Sequence, residues 1–306
     1  MKNYPKISVI TPIKNAQETL EKAIKSLIAQ NYPNLEYIVI DAQSTDETHK
    51  IIKKYEQYIN TFISNDWNVV KAENEGIKIA TGEIIAFLNA DDFYEKNILL
   101  KVAEEFQKND NLDIVSCLYR VIKKDENGNY TTIETSTQEK MQLEKNNIII
   151  SYGINARFFK KTIFEKYGFM VEMDEKNRVF SSNDVEHLIR IVLKGVKNKT
   201  INYVGYNYLA HKNSNTFLQD TQTKIILYED RIFIAKMFLN SKEFELPTVW
   251  QKTFRKWLIK YHTRIVLYMI RRRKFRQAKI EFTAGVKDTE FFKFLFYLLK
   301  NLFRKL

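Results

Sequence analysis

The chain has 306 residues, 44% of them hydrophobic and 28% charged, with a formal net charge of +12 at pH 7. That length provides one large core plus an appendage. The lone cysteine, Cys117, lies in an apolar stretch and excludes a disulfide framework, and no Cys/His cluster has zinc spacing. No segment reaches the roughly 18 apolar residues needed to span a bilayer. Residues 6–13 form an apolar run too short, and too early broken by Pro12, for a signal peptide, so a cytoplasmic protein is expected.

The first elements alternate. Residues 6–12 read as a strand stopped by Pro12, and Asn15 opens an amphipathic helix with Leu20, Ala23, Ile24, Leu27 and Ile28 on one face. Residues 35–40 form a second strand ending in Asp41, and the polar loop 41–46 leads into a helix to about Tyr58, capped by Thr45 or Asp46. A short strand at 61–64 is followed by Asn65-Asp66, then by a helix over roughly 69–80 that Gly82 ends. The octet Ile85-Ala86-Phe87-Leu88-Asn89-Ala90-Asp91-Asp92 is an apolar run that stops in two carboxylates, as a buried parallel strand does on leaving a sheet. The β-α-β-α-β-α-β order predicts a doubly wound, mostly parallel α/β sheet.

Ligands bind outside the carboxyl ends of such strands. Three of the four strands end in acid, at Asp41, Asp66 and Asp91-Asp92. Asp91 and Asp92 suit Mg²⁺ or Mn²⁺, held by carboxylates together with substrate phosphates. They also suit the cap of a following helix.

In this order and spacing, several stretches resemble glycosyltransferase family 2, the inverting enzymes of the GT-A fold. They are Ile7-Ser8-Val9-Ile10-Thr11-Pro12 with Asn15, Ile40-Asp41-Ala42-Gln43-Ser44-Thr45-Asp46, Asn74-Glu75-Gly76, Ala80-Thr81-Gly82-Glu83 and Phe87-Leu88-Asn89-Ala90-Asp91-Asp92. The match is strong over residues 5–110 and weak to about 215. It implies a nucleotide-sugar site formed by Thr11, Pro12, Asn15, Asp41, Asp66, Asn74, Asn89, Ala90 and Asp91, with the divalent cation at Asp91 and Asp92. The sequence departs from the family where Asn89 replaces the first acid of the Asp-x-Asp motif. Asn68 and Lys71 stand where many relatives have Gly and Asp; Lys71 could pair with a phosphate, but a solvated helix residue is the favoured reading.

Asp184 and Arg190 match the spacing of the family's acceptor-site motif, an Asp before a helix with an Arg six residues on. The resemblance implies that Asp184 is the general base, taking the proton of the attacking sugar hydroxyl. An N-cap at Asn183 or Asp184 is the structural alternative. Glu186 is the second candidate base, although its place in the first helical turn suits a solvated residue. Asn155 and His211 join Arg190 as weaker acceptor-side candidates, and His211 could reach the diphosphate or be incidental. Between these motifs, residues 113–122 read as a strand, 124–129 as a hairpin turn, and 148–151 as a further strand.

Residues 249–306 hold 16 Lys and Arg against 3 Asp and Glu, so the whole positive excess lies in this tail. Trp250, Phe254, Trp257, Leu258, Tyr261, Ile265 and Tyr268 recur at helical spacing, and residues 291–300 form a short, very apolar helix. A basic amphipathic helix of this kind suits an anionic membrane surface, with Phe291, Phe292, Phe294 and Phe296 inserting. Alternatively, the apolar stripe packs on the catalytic domain. Nucleic acid is not expected as a partner, since charge alone argues for it.

The expectation is a GT-A catalytic domain over 1–215 and a basic helical region over 216–306, peripheral on the inner face of the cell membrane. It would be a hexosyltransferase-type enzyme moving a sugar from a UDP-linked donor to a glycan or lipid-linked acceptor in cell-surface polysaccharide synthesis. The alternative is a non-catalytic GT-A domain acting as a binding or scaffold protein, which Asn89 and Lys71 favour.

Overall fold

The structure is a computed structural model that describes residues 4–144, 154–173, 181–211 and 221–303. It divides into two units. The first is built on a sheet whose early strands are β1 (Ile7–Ile13), β2 (Leu35–Asp41), β3 (Thr61–Ser64) and β4 (Ile84–Phe87). All four run parallel, in the spatial order β3-β2-β1-β4. Parallel strands need crossovers, supplied here by α1 (Leu20–Ile28), α2 (Thr48–Lys54) and α3 (Val69–Ile79). The apolar face expected for α1 is the face it buries, through Leu20, Ala23, Ile24 and Leu27.

The later strands make the sheet mixed. They are β5 (Phe93–Tyr94), β6 (Ile114–Lys124), β7 (Tyr130–Thr135), β8 (Arg157–Lys160) and β9 (Asn198–Leu209). β8 joins β4 to β6 antiparallel on both sides, β6 pairs parallel with β9, and β5 adds antiparallel to β9. β7 returns along β6 through the expected hairpin, where Gly128 takes a φ of +86°. α4 (Ile98–Lys108), α5 (Gln138–Met141), α6 (Thr162–Tyr167) and α7 (Asn183–Leu193) complete this unit.

Several local expectations change. β1 continues through Pro12, because pairing with β4 stops at Ile10 and leaves no ladder bond on that side for proline to break. α2 stops at Lys54, with a separate 3₁₀ turn at Glu56–Tyr58. Glu47, not Thr45 or Asp46, is its N-cap residue, and Asp46 just before it accepts from the Thr48 amide at 3.1 Å. α3 ends at Ile79, so Gly82 is not its terminator. Gly82 is needed for close approach: a Cβ there would lie 2.8 Å from the Lys6 carbonyl and 2.5 Å from Ser8 Oγ. Asp91 and Asp92 cap no helix, since β5 intervenes and α4 begins at Ile98. The strand expected at 148–151 lies outside the described residues.

The second unit contains α8 (Thr221–Asn240), α9 (Thr248–Arg271), α10 (Phe275–Asp288) and α11 (Phe291–Phe303). Trp250, Phe254, Leu258 and Ile265 of the α9 stripe are buried. Phe254 stacks on Phe238 of α8 at 5.7 Å. These four stripe residues therefore serve the unit's own helix packing, while Trp257, Tyr261 and Tyr268 of the same stripe stay half-buried. Among the described residues, no helix is long and apolar enough to cross a membrane.

Gly82→Ala is expected to destabilise the protein by about 1–3 kcal/mol, as overpacking against backbone does. Denaturant unfolding checks this; an unchanged midpoint would show that the strand edge yields.

Candidate active site

The carboxyl ends of β1 to β4 share one edge of the sheet. The chain places β2 and β3 on one side of β1 and β4 on the other, which sets a topological switch point between β1 and β4. The predicted site residues after these strands therefore gather at one edge.

On the β2 side, Asp41 is fully buried. Its carboxylate accepts from the Ser44 amide (3.1 Å) and from the hydroxyls of Ser44 (2.5 Å) and Ser64 (2.9 Å), and His49 Nε2 lies 2.9 Å away. Burial works to raise the Asp41 pKa, but these hydrogen bonds outweigh it and hold the group below the usual carboxylate range. The loops after β1 and β2 are tied together. The Asn15 amide donates to Ser44 Oγ at 2.8 Å, and its side-chain oxygen accepts from the Thr45 amide at 2.8 Å. Asn15 does this with a φ of +49°, a conformation Asn tolerates well. Thr11 is buried within β1, Pro12 is half-buried at its end, and Asp66 is exposed after β3.

On the β4 side, the two acids differ sharply. Asp92 is buried, with Oδ1 accepting from the Leu209 amide (2.9 Å) and Oδ2 from the Tyr206 hydroxyl (2.8 Å) and the Asn89 side-chain amide (3.3 Å). Burial, and then the Asp91 charge, push its pKa well above the ordinary value. Both oxygens are therefore taken by the protein, and the metal role expected for Asp92 does not fit. Asp91 is half-buried, and His211 Nε2 lies 2.9 Å from its Oδ2. A carboxylate and an imidazole at one point, with phosphate oxygens completing the shell, suit Mg²⁺ or Mn²⁺. Among the described residues no group of three acidic, His or Cys side chains could hold a metal without such help.

The third component is α7. Asp184 is half-buried in its first turn, and its Oδ1 accepts from the Val185 amide at 2.7 Å. Burial, then the Asp92 and Asp184 carboxylates, raise the pKa of the buried Tyr208 phenol well above its usual value. The two acidic ends of the site thus act on one β9 side chain. Asn155 is buried, and its side-chain oxygen has no hydrogen-bond partner among the described residues.

Three sequence expectations change here. Arg190 is a structural clamp: it donates to Glu186 (2.8 Å) and to the Phe169 carbonyl (2.8 Å), and it also holds the Tyr167 carbonyl. Its three nitrogens are engaged, which leaves it no acceptor role. Glu186 is buried in that ion pair instead of facing solvent. Asn74 is buried and clasps Met170 through a reciprocal pair of bonds, donating to its carbonyl (2.9 Å) and accepting from its amide (3.0 Å). Asn68 caps α3, accepting from the Lys71 amide at 2.9 Å. Residues 178–180, before α7, and 212–214, after His211, lie outside the described residues.

Glu73 is the group that sequence reasoning passed over, because one more Glu in a charged helix carries no signal. It is 6% exposed, and the Asn183 side-chain amide lies 3.5 Å away. Burial, and then the Asp184 carboxylate, raise its pKa to about 8.

A mixed sheet with a nucleotide-type switch point and an acidic β4 end defines a GT-A fold, and solved structures agree. Staphylococcus aureus TarS, residues 1–349 in complex with UDP, matches with a TM-score of 0.60 at 20% identity, over 85% of this chain and 71% of that one. A mannosyltransferase from Pyrobaculum calidifontis, PcManGT in complex with GDP-Man and Mn²⁺, gives a TM-score of 0.60 at 16% identity, over 100% and 89%. The sequence profile described as Glycosyl transferase family 2 matches residues 8–168, and the chain belongs to that family. A teichuronic acid biosynthesis glycosyltransferase, TuaG of Bacillus subtilis, is 34% identical over 33% of this chain and 41% of its own. The poly(ribitol-phosphate) β-N-acetylglucosaminyltransferase TarS of S. aureus is 34% identical over 32% of this chain and 18% of its own. The chain spans less than half the length of the curated relatives it matches.

Folding keeps a proton on Glu73 up to about pH 8, against an ordinary 4.5. Its contribution to stability is therefore complete below pH ~4.5 and is lost as pH rises towards ~8. Glu73→Gln is expected to stabilise the protein at pH 7 by on the order of 2–3 kcal/mol and to flatten the decline between pH 5 and 8. Parallel pH profiles of the unfolding midpoint in both proteins would show that Glu73 carries no such burden.

Proposed function

We propose that the protein is an inverting glycosyltransferase. It moves a sugar from a nucleoside-diphosphate donor, UDP-linked, to a glycan or lipid-linked acceptor in cell-surface polysaccharide synthesis, at the inner face of the cell membrane. The observation that supports this is that Asp41 and the residue 89–91 turn follow parallel strands at one edge of the sheet, while Asp92 and Asp184 both act on Tyr208 of β9. The UDP bound by TarS and the wall-polymer roles in the names of TarS and TuaG favour the donor and the pathway class.

Pro12, Asn15 and Asp66 line the nucleotide end, and the buried Asp41 carboxylate shapes it by holding Ser44, Ser64 and His49 in place. Thr11 shapes this end from within β1, as Asn74 does by fixing the 168–172 segment. Asn89, Ala90 and Asp91 face the diphosphate. Asp91 and His211 would hold a divalent cation, and the Mn²⁺ of PcManGT supports its use. When bound, the cation offsets the charge of the leaving diphosphate.

Asp184 accepts the proton of the attacking hydroxyl while that oxygen bonds to the anomeric carbon. The bond from that carbon to the diphosphate oxygen breaks with its electron pair on oxygen, and in-line displacement inverts the centre. Asn155 offers an unpaired acceptor for another acceptor-sugar hydroxyl. Protonated Glu73 leaves Asp184 without a second buried anion beside it.

Donor hydrolysis and transfer across a panel of nucleotide sugars, with Mg²⁺ or Mn²⁺, tests the reading. Asp184→Asn is expected to lower turnover by roughly 10²-fold or more with donor binding retained. Near-normal turnover would leave Asp184 only a structural place in the α7 turn.

A further inference from the structure

α11 carries apolar side chains on two opposite faces, and one of them is covered. Phe294 is fully buried, its ring 5.5 Å from that of Phe282 and 6.4 Å from that of His262. Gly285 makes this seat, since a Cβ there would lie 2.5 Å from the Phe294 ring. One turn on, Leu298 is buried with Val266 and Leu267 of α9. His262 lies 2.5 Å from Glu281 and 3.0 Å from Asp288, which fixes α10 to α9 behind the Phe294 ring.

The opposite face is open. Phe292 is 81% exposed, Phe296 71% and Leu299 42%, and their i, i+4, i+7 spacing puts them in one stripe. Exposed Lys293 and Lys300 flank it. Scattered exposed apolar residues are ordinary, whereas a contiguous stripe of this kind marks an interaction surface.

Charge says what the stripe meets. Arg271, Arg272, Arg273 and Lys274 are all exposed and belong to the same unit. Beside α11, a groove of about 470 Å³ lined by Lys256, Trp257, Lys260 and Tyr297 adds two more cations and two aromatic rings. Rings with lysines around an apolar stripe match an anionic lipid interface.

We infer that the open face of α11 is a docking surface for an anionic bilayer. Phe292, Phe296 and Leu299 enter the acyl boundary, while Lys293 and Lys300, with Lys256 and Lys260 of the adjoining groove, meet headgroup phosphates. This rests on the reading that the protein works at a membrane and narrows it to one face. It excludes Phe294, which the sequence alone groups with the inserting residues.

Flotation of the full chain with phosphatidylcholine–phosphatidylglycerol vesicles tests it. The expected result is binding that weakens with salt but persists in part at about 1 M, where screening lengths fall to about 3 Å. Phe292→Ser/Phe296→Ser should bind at least tenfold more weakly and lose the salt-resistant fraction, with an unchanged melting temperature. Lys293→Glu/Lys300→Glu should lose mainly the low-salt part. Wild-type binding by the double Phe variant would overturn the inference, as would a wild-type dimer that the variant dissociates without any vesicle binding. Donor hydrolysis measured alongside separates the two claims: turnover without vesicle binding sinks the surface alone, and vesicle binding without turnover sinks the transferase reading alone.

Discussion

A buried carboxyl group, Asp92, holds the site's two halves together. It follows β4, the last of the parallel strands, and its oxygens bind the Leu209 amide and the Tyr206 hydroxyl of β9. β4 and β9 are not neighbours in the sheet, since β8 and β6 lie between them. The carboxyl group spans that separation through the loop, and it brings His211, two residues past β9, against Asp91. Removing one partner of such a buried polar cluster costs far more than a surface hydrogen bond, because the other members lose their solvation as well.

The acids of the site are thereby sorted by environment. Asp92 and Glu73 are buried, and burial pushes both towards the neutral form. Asp41 is also buried, yet its Ser44, Ser64 and His49 partners favour the charged form. Asp91 and Asp184 are half-buried. Divergent environments among neighbouring carboxyl groups are what a site needs to hold a cation at one point and take up a proton at another.

The sequence exposes the parallel half of the fold because its signals are local: apolar runs stopped by Asp, an amphipathic α1, and a β-α alternation. The mixed half is hidden. β5 has two residues, and its pairing with β9 is set by contacts over a hundred positions away. Asp41 and Asp184 are visible as acids at strand and helix ends. The different fates of Asp91 and Asp92, adjacent and chemically identical, are not visible, because Tyr206 and Leu209 decide them. Arg190 and Asn74 mislead for the same reason: motif spacing marks a position, while the backbone carbonyls they hold appear only in three dimensions. In the tail, helical periodicity finds the α9 stripe but cannot say that Phe238 and Phe254 pack together, nor which face of α11 Gly285 receives.

The central claim is that Asp91, and not its buried neighbour, joins the cation to the donor diphosphate. Calorimetric titration of UDP in Mn²⁺ and in EDTA, for the wild type and Asp91→Ala, tests it most directly. The account predicts that chelation weakens wild-type affinity at least tenfold, a loss of about 1.4 kcal/mol, and that Asp91→Ala binds equally weakly in both conditions. Equal wild-type affinity with and without the metal would contradict it.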